Sequence, residues 1–308
     1  MNVEKELTDL TFNPGLTFGS GQAFRWRPIA DAQSEWIGIV SGTIVKVSRN
    51  SATMIGTNQR GLDLDRLLES YLTVKDDVPV ILSELPQDGI LSIALKQFEG
   101  LRLLTQDPWE CLISFVCSIN CNIPSIKLKI ENLARRYGTK IENDTNYVCF
   151  AFPSAEALAK ATKRDLIECR LGFRWRYVSY IAKKVAKGEL ELEKLGKMSY
   201  KEALGQLVSE FTNNTLGVGP KVADCALLYS LHKTEAFPID VWILRCIRQY
   251  YVELIEISNF DNLTIKRYNS ISESMRKRFG RYAGYAQLYL YAKMRASVAH
   301  VIQDKSLV

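Results

Sequence analysis

The stretch Thr215-Leu-Gly-Val-Gly-Pro-Lys-Val-Ala-Asp-Cys225 is the most informative part of this sequence about the fold. It lies between two amphipathic patterns, over residues 200–211 and 221–231, and its two glycines permit a tight turn. Pro220 suits the first turn of the second helix, because the N–H that proline lacks has no partner there. The segment at about 200–231 therefore predicts a helix-hairpin-helix, and the backbone amides at such a turn suit a DNA phosphate.

Two side chains near this hairpin suggest chemistry. Lys221 falls in the first helical turn, where the helix dipole and partial burial would lower its pKa and leave an amine able to attack carbon. Asp240, in Phe237-Pro-Ile-Asp-Val-Trp242, stands just before another predicted helix. A helix cap is the simpler interpretation of Asp240 alone. The two roles are compatible, since a rigid, ionised carboxylate also supports a developing positive charge.

The spacing of apolar residues changes once along the remainder of the chain. Residues 23–57 contain short β-branched and aromatic runs at 23–28, 35–40, 43–47 and 52–55, which predict an antiparallel meander. From about residue 63, apolar residues recur every three or four positions. We therefore predict a mainly α protein with an N-terminal antiparallel β lobe (α+β), divided into a β-sheet domain with helices over 1–104 and an all-helical body over 105–308. Helices are predicted at 63–72, 90–97, 108–119, 124–137, 155–161, 174–187, 200–211, 221–231, 241–251, 268–279 and 283–299.

Composition excludes several classes of protein. With 47% hydrophobic and 24% charged residues in 308, the chain is neither disordered nor fibrous, and no apolar run is long enough to span a bilayer. Residues 1–160 hold 16 basic and 19 acidic groups (net −3), whereas 161–308 hold 24 and 15 (net +9). This asymmetry favours a polyanionic partner for the second half, although a solvated lysine-rich surface stays open as an alternative.

The cysteines and histidines bear on cofactors and location. The seven cysteines form no CxxC pair and only two histidines are present, so we predict reduced thiols and no metal cluster. The start of the chain is too charged for a signal peptide. We therefore expect a cytoplasmic, DNA-associated protein, and a prokaryotic source.

Five segments in order along the chain extend these motifs to a family. They are Gly21-Gln-Ala-Phe-Arg-Trp26, Gln106-Asp-Pro-Trp-Glu-Cys-Leu-Ile-Ser-Phe-Val-Cys-Ser-Ile-Asn120, Leu171-Gly-Phe-Arg-Trp-Arg-Tyr177, Gly217-Val-Gly-Pro-Lys-Val-Ala-Asp-Cys225 and Tyr282-Ala-Gly-Tyr-Ala-Gln287. With these segments the chain resembles the 8-oxoguanine DNA glycosylases of the helix-hairpin-helix DNA glycosylase superfamily, whose glycosylase/lyase members carry the hairpin lysine. The resemblance implies the fold of that superfamily.

The resemblance implies roles for the catalytic residues and for lesion recognition. Lys221 would attack C1′ of the damaged nucleotide and hold the sugar as a Schiff base, and Asp240 would support the oxocarbenium-like transition state. Gly21 would offer its backbone carbonyl to the N7–H that oxidation adds to guanine. At normal guanine, two acceptors would face each other without a donor, which is costly once buried.

It also implies contacts to the extruded base and to the DNA. Gln287 would read the Watson–Crick edge of the base, Tyr291 would stack on one face and Cys225 would cover the other. Asn120 would fill the gap in the duplex, and Arg174 would reach the orphaned cytosine. From the residues alone, simpler interpretations remain: a loop cap for Asn120, a surface cation for Arg174, an exposed helical residue for Gln287 and a core aromatic for Tyr291.

Three positions depart from the family pattern. Phe173 stands where a tyrosine wedge is common, so stacking survives and the hydroxyl is lost. Trp242 replaces a histidine that often follows the aspartate. Ser125 lies in the run after Asn120 where mammalian members of the family have a second arginine that binds the opposite cytosine, and its absence here predicts weaker discrimination of the opposite base. The hairpin backbone would contact the DNA through Gly217, Val218 and Gly219.

Together these observations predict a bifunctional DNA glycosylase/AP lyase that excises 8-oxoguanine from duplex DNA in base excision repair. It would use no metal and no organic cofactor, touch no membrane, and act as a monomer. One alternative is the same scaffold acting on another damaged base, such as a formamidopyrimidine. Another is a non-catalytic helix-hairpin-helix protein that only binds the DNA backbone.

Overall fold

A mainly helical body with an N-terminal antiparallel sheet is the architecture observed, as the sequence predicts. The structure, a computed structural model, describes residues 3–7, 10–29, 34–57, 59, 61–143, 148–212, 218–254 and 263–305, with the side chains of 210–212 and 298–305 left undescribed. The strands are β1 (Val3–Glu6), β2 (Trp26–Pro28), β3 (Trp36–Val40), β4 (Thr43–Val47), β5 (Ser51–Thr57), β6 (Lys140–Ile141) and β7 (Cys149–Phe150).

The helices account for most of the described chain, with short 3₁₀ turns at 172–174, 252–254 and 280–282. The α-helices are α1 (Pro14–Gly19), α2 (Leu64–Tyr71), α3 (Val78–Ser83), α4 (Gly89–Gln97), α5 (Pro108–Cys117), α6 (Ile123–Tyr137), α7 (Ala155–Ala159), α8 (Lys163–Glu168), α9 (Trp175–Ala186), α10 (Leu192–Gly196), α11 (Tyr200–Thr212), α12 (Pro220–Leu231), α13 (Val241–Tyr250), α14 (Ile265–Phe279) and α15 (Ala283–Lys305).

The main sheet has the strand order β1-β5-β4-β3-β2, with every neighbouring pair antiparallel. Its buried face packs on α1 and α2 around Trp26, whose indole stacks on Phe18 at a centroid distance of 3.7 Å. The indole N–H donates to the Tyr71 hydroxyl at 2.7 Å, so the polar edge of this buried ring is satisfied. The sheet therefore forms a small core of its own beside the helical body.

Part of the predicted meander is wrong. The predicted strand at 23–28 exists only from Trp26, because Ala23 and Phe24 are buried in loop conformation and Phe24 contacts Phe115 of α5. Strand β1 was not predicted, since four residues provide too little alternation to recognise. The short helices α1, α3, α8 and α10 were missed for the same reason: two turns or fewer carry almost no periodicity.

The large core lies among the helices from α3 to α15. Helices α3 and α4 precede residue 105, yet the buried Ile81, Leu91 and Ala94 belong to this core, and α4 packs against α15. The division into 1–104 and 105–308 stays a proposal. Within the described ranges, every helix is too short or too polar to cross a bilayer.

Candidate active site

A cavity of about 940 Å³ opens between the α1–β2 loop, the end of α5, the start of α12, the start of α13 and one face of α15. It gathers residues from both ends of the chain. Most of the predicted site residues line it: Gly21, Asn120, Val218, Gly219, Lys221, Cys225, Asp240, Gln287 and Tyr291. Gly217 lies outside the described residues, and Phe173 and Arg174 lie outside the cavity lining.

Lys221 is the second residue of α12, directly after Pro220 at the position where the sequence places it. Its ammonium lies 3.3 Å from the Ser118 hydroxyl and 5.1 Å from the centre of the Phe115 ring. Both partners belong to α5 and the turn after it, against which α12 packs. The amine is therefore held at the cavity wall with one polar partner and an aromatic face.

Asp240 caps α13 at its N-terminus. One carboxylate oxygen accepts hydrogen bonds from the backbone N–H groups of Trp242 and Ile243, both at 2.9 Å. Burial raises the pKa of the Asp240 carboxyl, while the helix N–H groups and the charge of Lys221 oppose that rise. The capping role and a role facing the cavity coexist, since the other oxygen remains available to the cavity.

Cys225 lies one helical turn beyond Lys221 and forms a buried part of the same wall. Burial raises the pKa of its thiol to about 12, so the group is neutral near pH 7 and serves as an apolar surface.

Gln287 is only 3% exposed, which departs from the interpretation of an exposed helical residue. Its amide oxygen accepts from the Tyr229 hydroxyl at 3.1 Å, and its amide nitrogen donates to the Pro238 carbonyl at 3.1 Å. A carboxamide has two donor hydrogens and two acceptor lone pairs. Each end therefore keeps one hydrogen-bonding position, in an orientation that its two partners hold rigid.

Tyr291 and Arg295 follow Gln287 at intervals of four on the same face of α15. The Arg295 guanidinium lies 5.5 Å from the centre of the Tyr291 ring and donates to the carbonyls of Gly19 and Ser20, both at 3.3 Å. Helix α15 thereby holds the loop that contains Gly21.

Gly21 adopts a φ of +86°, a conformation that residues with a Cβ rarely accept. Its neighbour Gln22 is buried and anchors the loop: the Gln22 amide donates to the Arg102 carbonyl at 2.9 Å and accepts from the Leu104 N–H at 2.8 Å. The backbone of Gly21 is therefore presented to the cavity by a fixed loop.

We expect Gly21→Ala to destabilise the protein and to disable the site. The positive φ alone costs about 1–2 kcal/mol for a residue with a Cβ. The new methyl would also stand 3.1 Å from Cδ1 of Ile123 and 3.4 Å from the Tyr291 hydroxyl, which adds crowding. Denaturant unfolding measures the first effect and base excision the second.

Gly188→Ala is the matched control. Gly188 has a φ of +69°, and no described heavy atom lies within 4 Å of the Cβ that alanine would add. This variant should lose only the stability that a positive φ costs a residue with a Cβ, and it should keep full base-excision activity. Equal losses of stability and activity in both variants would contradict a special requirement at Gly21.

The turn at Asn120 lines the cavity and is supported from behind by Arg174, which with Phe173 lies outside the cavity lining. Asn120 is exposed, with a φ of +48°. Arg174 is only 7% exposed, so it is not a surface cation, and its guanidinium donates to the carbonyls of Ile119, Asn120 and Leu171. Phe173 is 48% exposed and its ring lies 4.5 Å from the Arg174 guanidinium. Arg174 thus fixes the turn that presents Asn120, and the predicted contact of Arg174 to cytosine stays a prediction.

The structure also locates the hairpin residues and two of the positions that depart from the family pattern. Gly219 precedes Pro220 as the N-cap of α12 and is exposed, whereas Val218 is buried. Ser125 lies in the first turn of α6, where its N–H donates to the Asn122 side chain at 3.0 Å. Trp242 lines the cavity next to Asp240.

The cavity lining also includes residues that were not predicted as site residues, among them Phe115, Ser118, Tyr268 and Arg295. Arg295 had a usable signal, since it continues the four-residue spacing of Gln287 and Tyr291. Phe115 and Ser118 lie inside the segment from Gln106 to Asn120 that was already singled out. Tyr268 had no local signal.

Two protein-family profiles and several known proteins match the part of the chain that forms the site. The sequence profile of the 8-oxoguanine DNA glycosylase N-terminal domain matches residues 5–112, and that of the HhH-GPD superfamily base excision DNA repair proteins matches residues 113–254. A probable N-glycosylase/DNA lyase of Methanothermobacter thermautotrophicus is 32% identical over 93% of this chain and 94% of its own length.

Solved structures agree with the sequence comparison. The apo form of Clostridium acetobutylicum 8-oxoguanine glycosylase/lyase is 31% identical, covers 95% of this chain and 98% of its own, and superimposes with a TM-score of 0.80. The same enzyme in complex with double-stranded DNA containing cytosine opposite 8-oxoG has a TM-score of 0.82, at 30% identity over 96% of this chain and 98% of its own.

Proposed function

The chain belongs to the 8-oxoguanine DNA glycosylases of the HhH-GPD base excision repair superfamily, and we propose that it excises 8-oxoguanine from duplex DNA as a bifunctional glycosylase/AP lyase. One observation carries the proposal. A single cavity holds an amine at a helix N-terminus, a capping carboxylate and a fixed backbone loop, in Lys221, Asp240 and Gly21.

Recognition would use the groups that the fold holds rigid. An extruded base enters a cavity of this size because stacking and hydrogen bonds there offset the cost of leaving the duplex. The Gly21 carbonyl accepts from N7–H, which only the oxidised base has. Gln287 uses its remaining donor and acceptor on the Watson–Crick edge, and Tyr291 and Cys225 cover the two faces.

The chemistry needs only an amine and a carboxylate. The Lys221 nitrogen attacks C1′ through its lone pair as the C1′–N9 bond breaks. The proton that the attacking nitrogen loses on forming the new bond is taken up by the departing base. Asp240 stabilises the positive charge that develops on the sugar. Ring opening then yields the Schiff base between Lys221 and C1′. Loss of a C2′ proton breaks the C3′–O3′ bond and nicks the strand on the 3′ side.

Two alternative functions, another damaged base as substrate and DNA binding without catalysis, can be compared with the residues of the cavity. Formamidopyrimidine-guanine shares much of the recognised edge and is a second candidate substrate. A protein that only binds the DNA backbone would need the α11–α12 hairpin but would gain nothing from having Lys221 and Asp240 line one cavity.

Borohydride trapping tests the proposal. The protein is incubated with duplexes that contain one 8-oxoguanine opposite cytosine, one formamidopyrimidine-guanine, or no lesion. We expect a covalent adduct and strand cleavage with 8-oxoguanine and none with undamaged DNA. Equal binding to all duplexes without an adduct would contradict the proposal and favour the non-catalytic alternative.

Discrimination of the opposite base should be weak in this protein. A bidentate arginine contact to a base contributes about 1–3 kcal/mol of discrimination, and Ser125 supplies none. We expect excision rates opposite C, T, G and A to agree within about tenfold under single-turnover conditions. A strong preference for C would contradict this prediction.

Ser125→Arg should restore a preference for cytosine of about tenfold or more. Ser83→Arg is the control, because it adds the same charge to an exposed position of α3 outside the cavity lining. If both variants only tighten DNA binding uniformly, the position does not govern selectivity.

The substrate also bears on location. A protein that acts on duplex DNA works where the chromosome is, and we keep the nucleoid of a prokaryotic cytoplasm as its proposed site of action. Its action as a monomer likewise stays a proposal.

A further inference from the structure

A buried carboxylate lies directly beneath the cavity wall. Asp224, between Lys221 and Cys225 on α12, is 0% exposed. Its two oxygens accept from the hydroxyls of Tyr200 and Tyr268, both at 2.6 Å. An ionised group this deep is stable only when its hydrogen bonds are made, so α12 depends on both tyrosines.

The two tyrosines differ in what else they touch. The Tyr268 hydroxyl accepts from the backbone N–H of Ile239 at 3.2 Å, and Ile239 directly precedes Asp240. Tyr268 also lines the cavity. The Tyr200 hydroxyl instead accepts from Arg276 at 3.0 Å, and Tyr200 is outside the cavity lining.

Tyr268 therefore joins the helix carrying Lys221 to the residue next to Asp240 through a single hydroxyl. On the basis of the function proposed above, we propose that Tyr268 is a positioning residue. By bridging Asp224 and the Ile239 N–H, it sets the distance between the amine and the carboxylate. The hydroxyl itself does not touch the reacting atoms.

This bridge matters because the reaction needs both groups at the sugar together. A displacement of about 1 Å at a reacting group can reduce a rate by about 100-fold. Residues 232–239 separate helix α12 from Asp240, and the relative position of the two otherwise depends on apolar packing and on Gln287, which bonds to Tyr229 of α12 and to the Pro238 carbonyl. Apolar packing is less directional than a hydrogen bond, and the Ile239 N–H that Tyr268 binds is nearer to Asp240 along the chain than Pro238 is.

Tyr268→Phe and Tyr200→Phe form a matched pair. Each removes one hydroxyl from a tyrosine that is 3–4% exposed and deletes one 2.6 Å bond to Asp224. Only Tyr268→Phe also releases the Ile239 N–H. A role limited to stabilising Asp224 would affect both variants alike, and thermal unfolding of both measures that shared effect.

The decisive measurement is the single-turnover rate of 8-oxoguanine excision at saturating enzyme. We expect a fall of about 10–100-fold for Tyr268→Phe and less than about threefold for Tyr200→Phe, with the Kd for lesion DNA changed less than twofold in either. On a duplex with a preformed abasic site, trapping by Tyr268→Phe should fall less, since no glycosidic bond remains for Asp240 to assist.

Two results would overturn the positioning role: equal rate losses in the two variants, or an unchanged rate in Tyr268→Phe. Failure of the proposed function is a separate outcome, because it would show as absent excision by the unaltered protein.

Discussion

Lys221→Gln is expected to abolish the borohydride-trapped adduct and to lower the rate of 8-oxoguanine excision by at least about 1000-fold. Glutamine retains a polar side chain of similar reach but cannot form a Schiff base. Lys221 is only partly buried and donates to the Ser118 hydroxyl at 3.3 Å rather than forming a buried ion pair, so the fold should persist. Trapping and single-turnover excision, with circular dichroism as the check on folding, measure the effect.

Lys194→Gln is the control for the loss of one positive charge. Lys194 lies on α10, is exposed, and pairs with Glu191 at 2.6 Å away from the cavity. Its variant should retain full trapping. An adduct that persists in Lys221→Gln would assign the nucleophile to another amine and would contradict the mechanism.

Asp240→Asn should reduce the excision rate by about 100–1000-fold, the usual effect of removing one preorganised electrostatic group. Asparagine caps helices about as well as aspartate, so the bonds from Trp242 and Ile243 survive in the variant. Burial disfavours the charge of Asp240, so its removal should leave the thermal midpoint unchanged or raise it. A loss of activity without a loss of stability would therefore indicate that Asp240 acts electrostatically in the reaction and not in holding the fold.

The pH dependence supplies a second readout for Asp240. The carboxylate is the active form, and burial raises its pKa. The excision rate should therefore be retained above that pKa and fall as the pH drops through it, at a higher pH than an exposed aspartate would give. The Asn variant should lose this acidic limb of the profile.

Asp107→Asn is the control for both measurements. Asp107 also caps a helix and accepts from the Glu110 N–H at 2.8 Å, but it is exposed and lies outside the large cavity. Its variant should excise 8-oxoguanine at the normal rate. If Asp107→Asn and Asp240→Asn lower the rate equally, the charge of Asp240 has no special role.

The sequence was most informative where function depends on neighbours along the chain. The position of Lys221 in the first turn of α12 follows from Pro220, and the cap at Asp240 follows from the apolar pattern after it. It was least informative for side chains whose surroundings come from elsewhere. Arg174 and Gln287 both look like surface residues locally, and both are buried by contacts with distant segments.

The helical body with its β lobe, the hairpin, the amine and the carboxylate could all be predicted from the sequence, because they depend on periodicity, turn residues and caps, whose causes lie within a few residues of each other. The family was predicted from the five segments that resemble it. Two features became visible only in the folded protein: Gly21 meets α15 from the other end of the chain, and Tyr268 joins Asp224 to the segment before Asp240. Such contacts arise when the whole core packs, because burial leaves each polar group only the partners that the fold brings near it.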